Sequence, residues 1–195
     1  MWEQSRVTFL TVNMPGGSNN DNEVTAAWST IKNCNGVVEI YPTDAQLNEH
    51  TQRTAADLRW LEQAFATATR KHAKAVVLSL QADMWDTQAA LNQYTPFVTR
   101  LAELSIAFKR PVLLLNGDSH LFKGDRPLAD PSSARSAIRH TPAVPNLRPI
   151  VVQGALNLPA QWLRLTIDPN IPQVFGQIPT TDHVPYCTAD TPTCN

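Results

Sequence analysis

The sequence is short of cysteine, glycine and net charge, and each shortage excludes a class of protein. Its three cysteines are too few for a disulfide scaffold, and they lack the paired spacing of zinc fingers. Its 16 basic and 17 acidic residues leave a net charge of -1, so no overall field favours DNA, RNA or an anionic membrane as a partner. Its seven glycines form neither a Gly-x-Gly-x-x-Gly turn nor a Walker phosphate loop, and no Gly-x-Ser-x-Gly elbow of a serine hydrolase is present.

Long apolar runs are also missing. Hydrophobic stretches stay under about ten residues, whereas a membrane-spanning helix needs roughly 20. The segment Met1-Trp-Glu-Gln-Ser-Arg6 carries no basic region followed by an apolar stretch, so no secretory signal is visible. We therefore expect a soluble protein without a membrane partner, either cytoplasmic or, if a leader has been removed, periplasmic.

The C-terminal residues 181–195 are rich in threonine and proline and contain Cys187 and Cys194. A small disulfide loop in an oxidising compartment and two free thiols are both compatible with this segment, so cysteine usage leaves the compartment open. With 195 residues, of which 43% are hydrophobic, the chain is long enough for one core. We expect a single domain over residues 1–180 and a tail after it.

Regular patterns in the first two thirds of the chain predict an α/β fold. Apolar and β-branched runs predict strands at 7–12, 75–80 and 112–115. Apolar residues at spacings of three and four predict helices at 54–72 and 96–109. From residue 54 the order is helix, strand, helix, strand, which is typical of a largely parallel sheet. We expect a mixed sheet flanked by helices.

The remaining segments are less regular. Residues 23–53 predict a loop with a short helical piece. Residues 123–149 contain five prolines and predict an irregular excursion of the kind that often carries function. Short apolar runs at 149–153, 161–168 and 174–178 predict an antiparallel meander.

Polar residues follow each of the three predicted strands. The first strand leads into Asn13 and a loop that contains Asn19 and Asn20, the second into Gln81, and the third into Asn116-Gly-Asp-Ser-His120. Ligand sites in open parallel sheets form beyond the carboxyl ends of the strands, so these side chains converge if the strands are neighbours. Oxygen ligands and one imidazole suit Mg, Mn, Fe or Zn. An ordinary Asn-Gly turn, with Asp118 capping the next turn, is the competing interpretation.

The third strand and its loop resemble the last motif of the calcineurin-like metallophosphoesterases, which is usually Gly-His-x-His after a buried strand. Here the motif is Gly117-Asp-Ser-His120, with Asp118 in place of the first histidine. The resemblance, to a bacterial branch of the superfamily, covers most of the chain. Its further segments are Gly17-Ser-Asn-Asn20, the helix at 55–65, Leu80-Gln-Ala-Asp-Met84, Arg126-Pro-Leu128 and Trp162-Leu-Arg-Leu-Thr-Ile-Asp-Pro169.

The resemblance implies a pair of packed mixed sheets and hydrolysis of a phosphate monoester or diester by a metal-bound hydroxide. It implies a divalent metal held by His120, Asp118 and Gln81, with His120 and Asp118 as the catalytic pair. Asn13, Asn19, Asn20 and Arg126 would then line the substrate pocket, and the substrate would be a phosphorylated small molecule or another ester.

The family's opening motifs are absent. Its Asp-x-His, Gly-Asp-x-x-Asp and Gly-Asn-His-Asp/Glu segments do not occur before Gly17. The chain therefore resembles the C-terminal half of such an enzyme, and its site would be incomplete without a missing N-terminal half or a second copy in a homodimer. Two other hypotheses stay open: an inactive remnant that acts as a binding or interaction domain, and a metal-free α/β domain.

Overall fold

The computed structural model describes residues 1–20, 30–32, 38–40, 44–85, 93–154, 161–175 and 182–183. It has the predicted α/β class, with one five-stranded mixed sheet and helices packed against it. None of the helices in these ranges is both long enough and apolar enough to span a bilayer.

The sheet has four parallel strands and one antiparallel edge strand. Its strands are β1 (Trp2–Gln4), β2 (Val7–Thr11), β5 (Ala75–Ser79), β6 (Val112–Asn116) and β7 (Leu147–Val151), and they lie in this order. β1 pairs antiparallel with β2, and the other neighbours pair in parallel. The carboxyl ends of β2, β5, β6 and β7 therefore share one edge, which we call the carboxyl edge.

Two long helices cover one face of the sheet. They are α2 (Asp44–Arg70) and α3 (Thr95–Phe108), and each crosses from one parallel strand to the next. Their apolar residues, such as Leu61 and Leu101, pack with Leu10, Leu78 and Leu114 of the strands in the larger core cluster. Both crossovers use the same face, as expected when successive parallel strands are added in one direction with the same hand.

The opposite face is covered by the segment 163–175. Strand residues that alternate with those of the first core, among them Val77, Leu113 and Ile150, pack there against Val174 and Phe175. This alternation is the period of two that a strand buried on both faces produces. The sheet is thus enclosed by helices on one side and by irregular chain on the other.

The shorter elements lie between or after these. They are α1 (Gly16–Asn20), β3 (Thr30–Lys32), β4 (Val38–Ile40), α4 (Ala134–Arg139), β8 (Gln161–Trp162) and β9 (Asp182–His183). β3 pairs with β4, and β8 pairs with β9, both antiparallel.

Three sequence predictions differ from this fold. The predicted meander is wrong at its first run, because residues 149–151 belong to β7 and pair in parallel with β6. It is also wrong over 163–175, where the pairing is reduced to the isolated bridge between Ile167 and Phe175; residues 176–178 lie outside the described residues. α2 begins ten residues before the predicted start at 54. The prediction missed these first turns because they are polar and carry no apolar repeat. Residues 16–20 form a helical turn despite their poor helix propensity.

Candidate functional site

Asp118 joins the loops that follow three neighbouring strands. It lies in the loop after β6, and its Oδ1 accepts a hydrogen bond from Nε2 of Gln81, 3.2 Å away, in the loop after β5. Its Oδ2 accepts from the backbone N–H of Asp83 at 3.1 Å. The amide oxygen of Gln81 in turn accepts from the backbone N–H of Gly16, beyond β2. The predicted convergence of Asp118 and Gln81 is therefore present.

Two glycines allow the side chains of this loop to lie against neighbouring backbone. A Cβ added to Gly16 would lie 2.6 Å from Oδ1 of Asp118, and one added to Gly154, beyond β7, would lie 2.7 Å from Cβ of His120. Both separations are too short for real carbon contacts, so a larger residue at either position would displace the loop. Only glycine permits these close approaches.

The loop also holds two non-glycine residues in the left-handed region, Asp118 with φ 73° and His120 with φ 61°. Ser5 and Arg6 share this conformation because they form the two-residue turn between β1 and β2. Three other cases follow helices: His72 after α2, Lys109 after α3 and His140 after α4. Neither explanation applies to Asp118 and His120, and strain of this kind concentrates at functional loops.

Asp83 is the second carboxylate at the carboxyl edge, and its side chain is only 4% exposed. Its Oδ2 forms an ion pair with Nζ of Lys123 at 3.1 Å, and its Oδ1 accepts from the backbone N–H of Trp85 at 3.2 Å. Lys123 also exchanges two backbone hydrogen bonds with Val151, at 3.1 and 2.9 Å. The ion pair thus links the loop after β5 to the end of β7.

Asn19 has a structural role that the sequence did not reveal. It is fully buried, and its side-chain nitrogen lies 3.0 Å from Oγ1 of Thr54 and 3.0 Å from Nε2 of His50, both on α2. Arg53 donates to its side-chain oxygen and, at 2.9 Å, to its backbone oxygen. The burial of Asn19 shows a contact with α2, and its substrate role stays a prediction. His50 is itself half-buried.

Asp57 is a buried carboxyl group that sequence reasoning missed. It lies on α2 beside the end of β2, and its Oδ1 accepts from the backbone N–H of Asn13 at 3.4 Å. Burial raises its pKa to about 6, although the hydrogen bond from Asn13 and the charge of Arg53 oppose the shift. Its Oδ2 has no hydrogen-bond partner among the described residues. The available signal was an aspartate four positions before Leu61 and seven before Ala64, on the helix face that carries these apolar residues.

The other predicted site residues are more dispersed. His120 is exposed at the side of the loop, and its backbone oxygen accepts from Gly154 at 2.9 Å. Asn13 and Arg126 are exposed, while the side chain of Asn20 lies outside the described residues. The tail with Cys187 and Cys194 also lies outside them.

A metal centre needs several ligands, and the described part of the chain does not supply them. Within these residues, no group of three or more histidine, cysteine, aspartate or glutamate side chains could hold a metal ion. Both carboxylate oxygens of Asp118 already accept hydrogen bonds from protein donors. The predicted ligands His120, Asp118 and Gln81 therefore do not fit a metal by themselves.

Comparison with known proteins gives no further assignment, since no family model, curated protein or solved structure matches this chain.

Proposed function

We propose that this chain is one part of a metal-dependent phosphoester hydrolase of the metallophosphoesterase type, and that it requires further ligands from a missing segment or a partner. The supporting observation is the position of Gly117-Asp-Ser-His120. This loop lies after a buried parallel strand, carries two residues with positive φ, and is bonded to Gln81 at the end of the next strand. Such an edge is where open parallel sheets bind ligands.

In the complete enzyme, the bound metal would supply a hydroxide and offset charge on the phosphoryl oxygens. The residues of this chain would fix the loop. Gln81 and the backbone of Asp83 hold the carboxylate of Asp118, and the backbone of Gly154 holds the turn at His120. The exposed His120 ring would then be the group that this chain presents to the metal.

The test is titration calorimetry of Mn²⁺ and Zn²⁺ into the purified chain, the His120→Ala variant and the His140→Ala variant. His140 is the matched control, because it is also exposed and also has a positive φ, 52° against 61° for His120. The substitution therefore has a similar backbone cost at both positions. We expect weak binding that falls at least tenfold in His120→Ala and is unchanged in His140→Ala. Equal binding by all three proteins would refute the proposal.

A non-catalytic binding domain is the second candidate. The observation that favours it is that the carboxylates at the carboxyl edge are engaged: Asp118 with two donors, and Asp83 with Lys123 and the backbone of Trp85. A chain that binds neither metal and hydrolyses no p-nitrophenyl phosphate at saturating Mn²⁺ would favour this candidate.

A further inference from the structure

A basic cleft lies at the opposite edge of the sheet from the candidate site. It is formed where the chain enters β5 and β6 and where the segment 169–174 covers the second face, and its volume is about 320 Å³. Small-ligand sites begin at about 300 Å³, so the cleft can accept a compact ligand. We call it the amino-edge cleft, and its charged lining residues are Lys74, Lys109 and Arg110.

The charged side chains that line the cleft are all basic. No aspartate or glutamate is among its lining residues in the described part of the chain, although Asp168 lies beside them and its Oδ1 accepts from the backbone N–H of Asn170 at 2.9 Å. Five cations elsewhere in the described residues form ion pairs, among them Lys71 with Glu3 and Arg135 with Asp125. Within the same ranges, the salt bridges include none from Lys74, Lys109 or Arg110. Three cations therefore converge here in a protein whose net charge is only -1.

The walls of the cleft are fixed by several contacts. The guanidinium of Arg110 donates to the backbone oxygen of Ala73 at 2.7 Å and lies 5.4 Å from the ring centre of Phe108. The side chain of Arg6 donates to Oδ1 of Asn170 at 3.1 Å. The backbone oxygen of Arg6 accepts from the backbone N–H of Lys74 at 2.6 Å. The guanidinium of Arg110 and the backbone at Lys74 are thus held in place, which lowers the entropy lost on binding.

The opposite wall contains a strained residue. Val174 is buried and has φ 60°, a conformation that β-branched residues rarely adopt. Its backbone oxygen accepts from Asp168 at 2.7 Å and its N–H donates to Ile171 at 3.1 Å, which fixes the turn that lines the cleft. Strain that the surrounding contacts maintain is a recurrent feature of binding sites.

Stabilisation of helix ends explains only part of this charge. Lys109 directly follows α3, where a cation interacts favourably with the negative end of the helix dipole. Lys74 lies four residues beyond the end of α2, outside the last turn in which that effect operates. A role in ligand binding accounts for both lysines and for the arginine.

We propose that the amino-edge cleft binds an anion with two or more adjacent phosphoryl groups. Lys74 and Lys109 would act as point charges, and Arg110 would supply the planar donor pair that fits phosphoryl oxygens. Such a group occurs in soluble diphosphates and in phosphorylated lipid headgroups, so the test needs both forms. This site is separate from the carboxyl edge and does not depend on the proposed hydrolase function.

The experiment measures the binding of inorganic pyrophosphate in metal-free buffer at physiological salt, where charges beyond about 8 Å are screened. The test variant is Lys74→Gln/Lys109→Gln, and the control is Arg59→Gln/Lys71→Gln, which removes the same charge from exposed positions on or just after α2. We expect at least a tenfold loss of affinity in the test variant and less than a twofold change in the control.

Vesicles that contain a bisphosphorylated inositol lipid form the second arm. Binding in either arm that is lost only in the test variant supports the site and identifies the source of the phosphoryl groups. Binding in neither arm, or equal loss in both variants, overturns the proposal. Circular dichroism of both variants at the assay temperature checks that the loss does not come from unfolding.

Discussion

The carboxylate of Asp118 lies directly against Gly16, so that a Cβ on this glycine would be 2.6 Å from Oδ1 and 2.8 Å from Oδ2. Because Gln81 and the backbone of Asp83 hold the carboxylate, it cannot rotate away without losing hydrogen bonds. The packing of this pair therefore determines how closely the loops after β2 and β6 approach.

Gly16→Ala should lower the free energy of unfolding by about 1–3 kcal/mol, because the new methyl group overpacks the loop. Gly124→Ala is the control, since its Cβ would meet Phe122 at an ordinary 3.6 Å. Urea unfolding of Gly16→Ala in the Asp118→Ala background completes a double-mutant cycle. We expect the loss of unfolding free energy caused by Gly16→Ala to be smaller by at least about 1 kcal/mol in that background. If the losses in the two single variants simply added in the double variant, the contact between Gly16 and Asp118 would be contradicted.

Asn19→Ala should destabilise the protein by about 2–4 kcal/mol, because it leaves buried donors and acceptors without partners. The residue also has φ 63°, which asparagine tolerates better than alanine. Asn48→Ala is the control, since Asn48 is exposed on α2 and, among the described residues, its side chain accepts from Gln52 of the same helix. Thermal and urea unfolding would measure both. A loss below about 0.5 kcal/mol for Asn19→Ala would be inconsistent with the contacts between α1 and α2.

Lys123→Ala should cost about 1–3 kcal/mol, since it leaves the buried carboxylate of Asp83 without its cation. Lys71→Ala removes an exposed pair with Glu3 and should change stability by less than about 0.5 kcal/mol. Equal effects in the two variants, measured by urea unfolding, would mean that the pair between Asp83 and Lys123 contributes no more than a surface pair.

The contribution of Asp57 to the stability of the protein should fall as the pH rises from about 4 to about 6.5. Asp57 has a pKa of about 6 in the folded chain, against an ordinary value of 3.8 for an exposed aspartate, so the folded state binds the proton more tightly than the unfolded state. That advantage is complete below pH 3.8 and is lost as the pH passes the folded pKa. The amplitude is roughly 1–3 kcal/mol. Asp57→Asn should remove this component from urea-unfolding curves measured at several pH values, and an unchanged slope would exclude Asp57 as its source.

Much of the sheet could be predicted because apolar runs are a local signal. The strands at 75–79 and 112–116 and the helix at 95–108 lie within one or two residues of their predicted bounds. The parallel order also followed from the alternation of these elements. β1 was missed because its three residues are all exposed and have no apolar pattern.

The site was only partly predictable, since its geometry depends on contacts between distant segments. The sequence indicated that Gln81 and Asp118 would meet, but it did not indicate that Gly16 and Gly154 provide the space for the loop. It could not assign Asn19 to the interface with α2, because a polar loop residue has no local feature that marks it as buried. Asp57 was overlooked for the opposite reason, as it lies within a helix that was interpreted through its apolar residues alone.

The strands β2, β5, β6 and β7 lie side by side in the order in which the ribosome makes them. The sheet can therefore grow during synthesis by adding each new strand to the one before. Gly154, which contacts His120, follows the last of these strands, so the wall beside His120 is the final part of the loop's surroundings to be made. At roughly 5–20 residues per second, it arrives about 2–7 s after His120 itself. During that interval β6 is the outer strand of the nascent sheet, with its N–H and C=O groups still exposed to chaperones or to another chain.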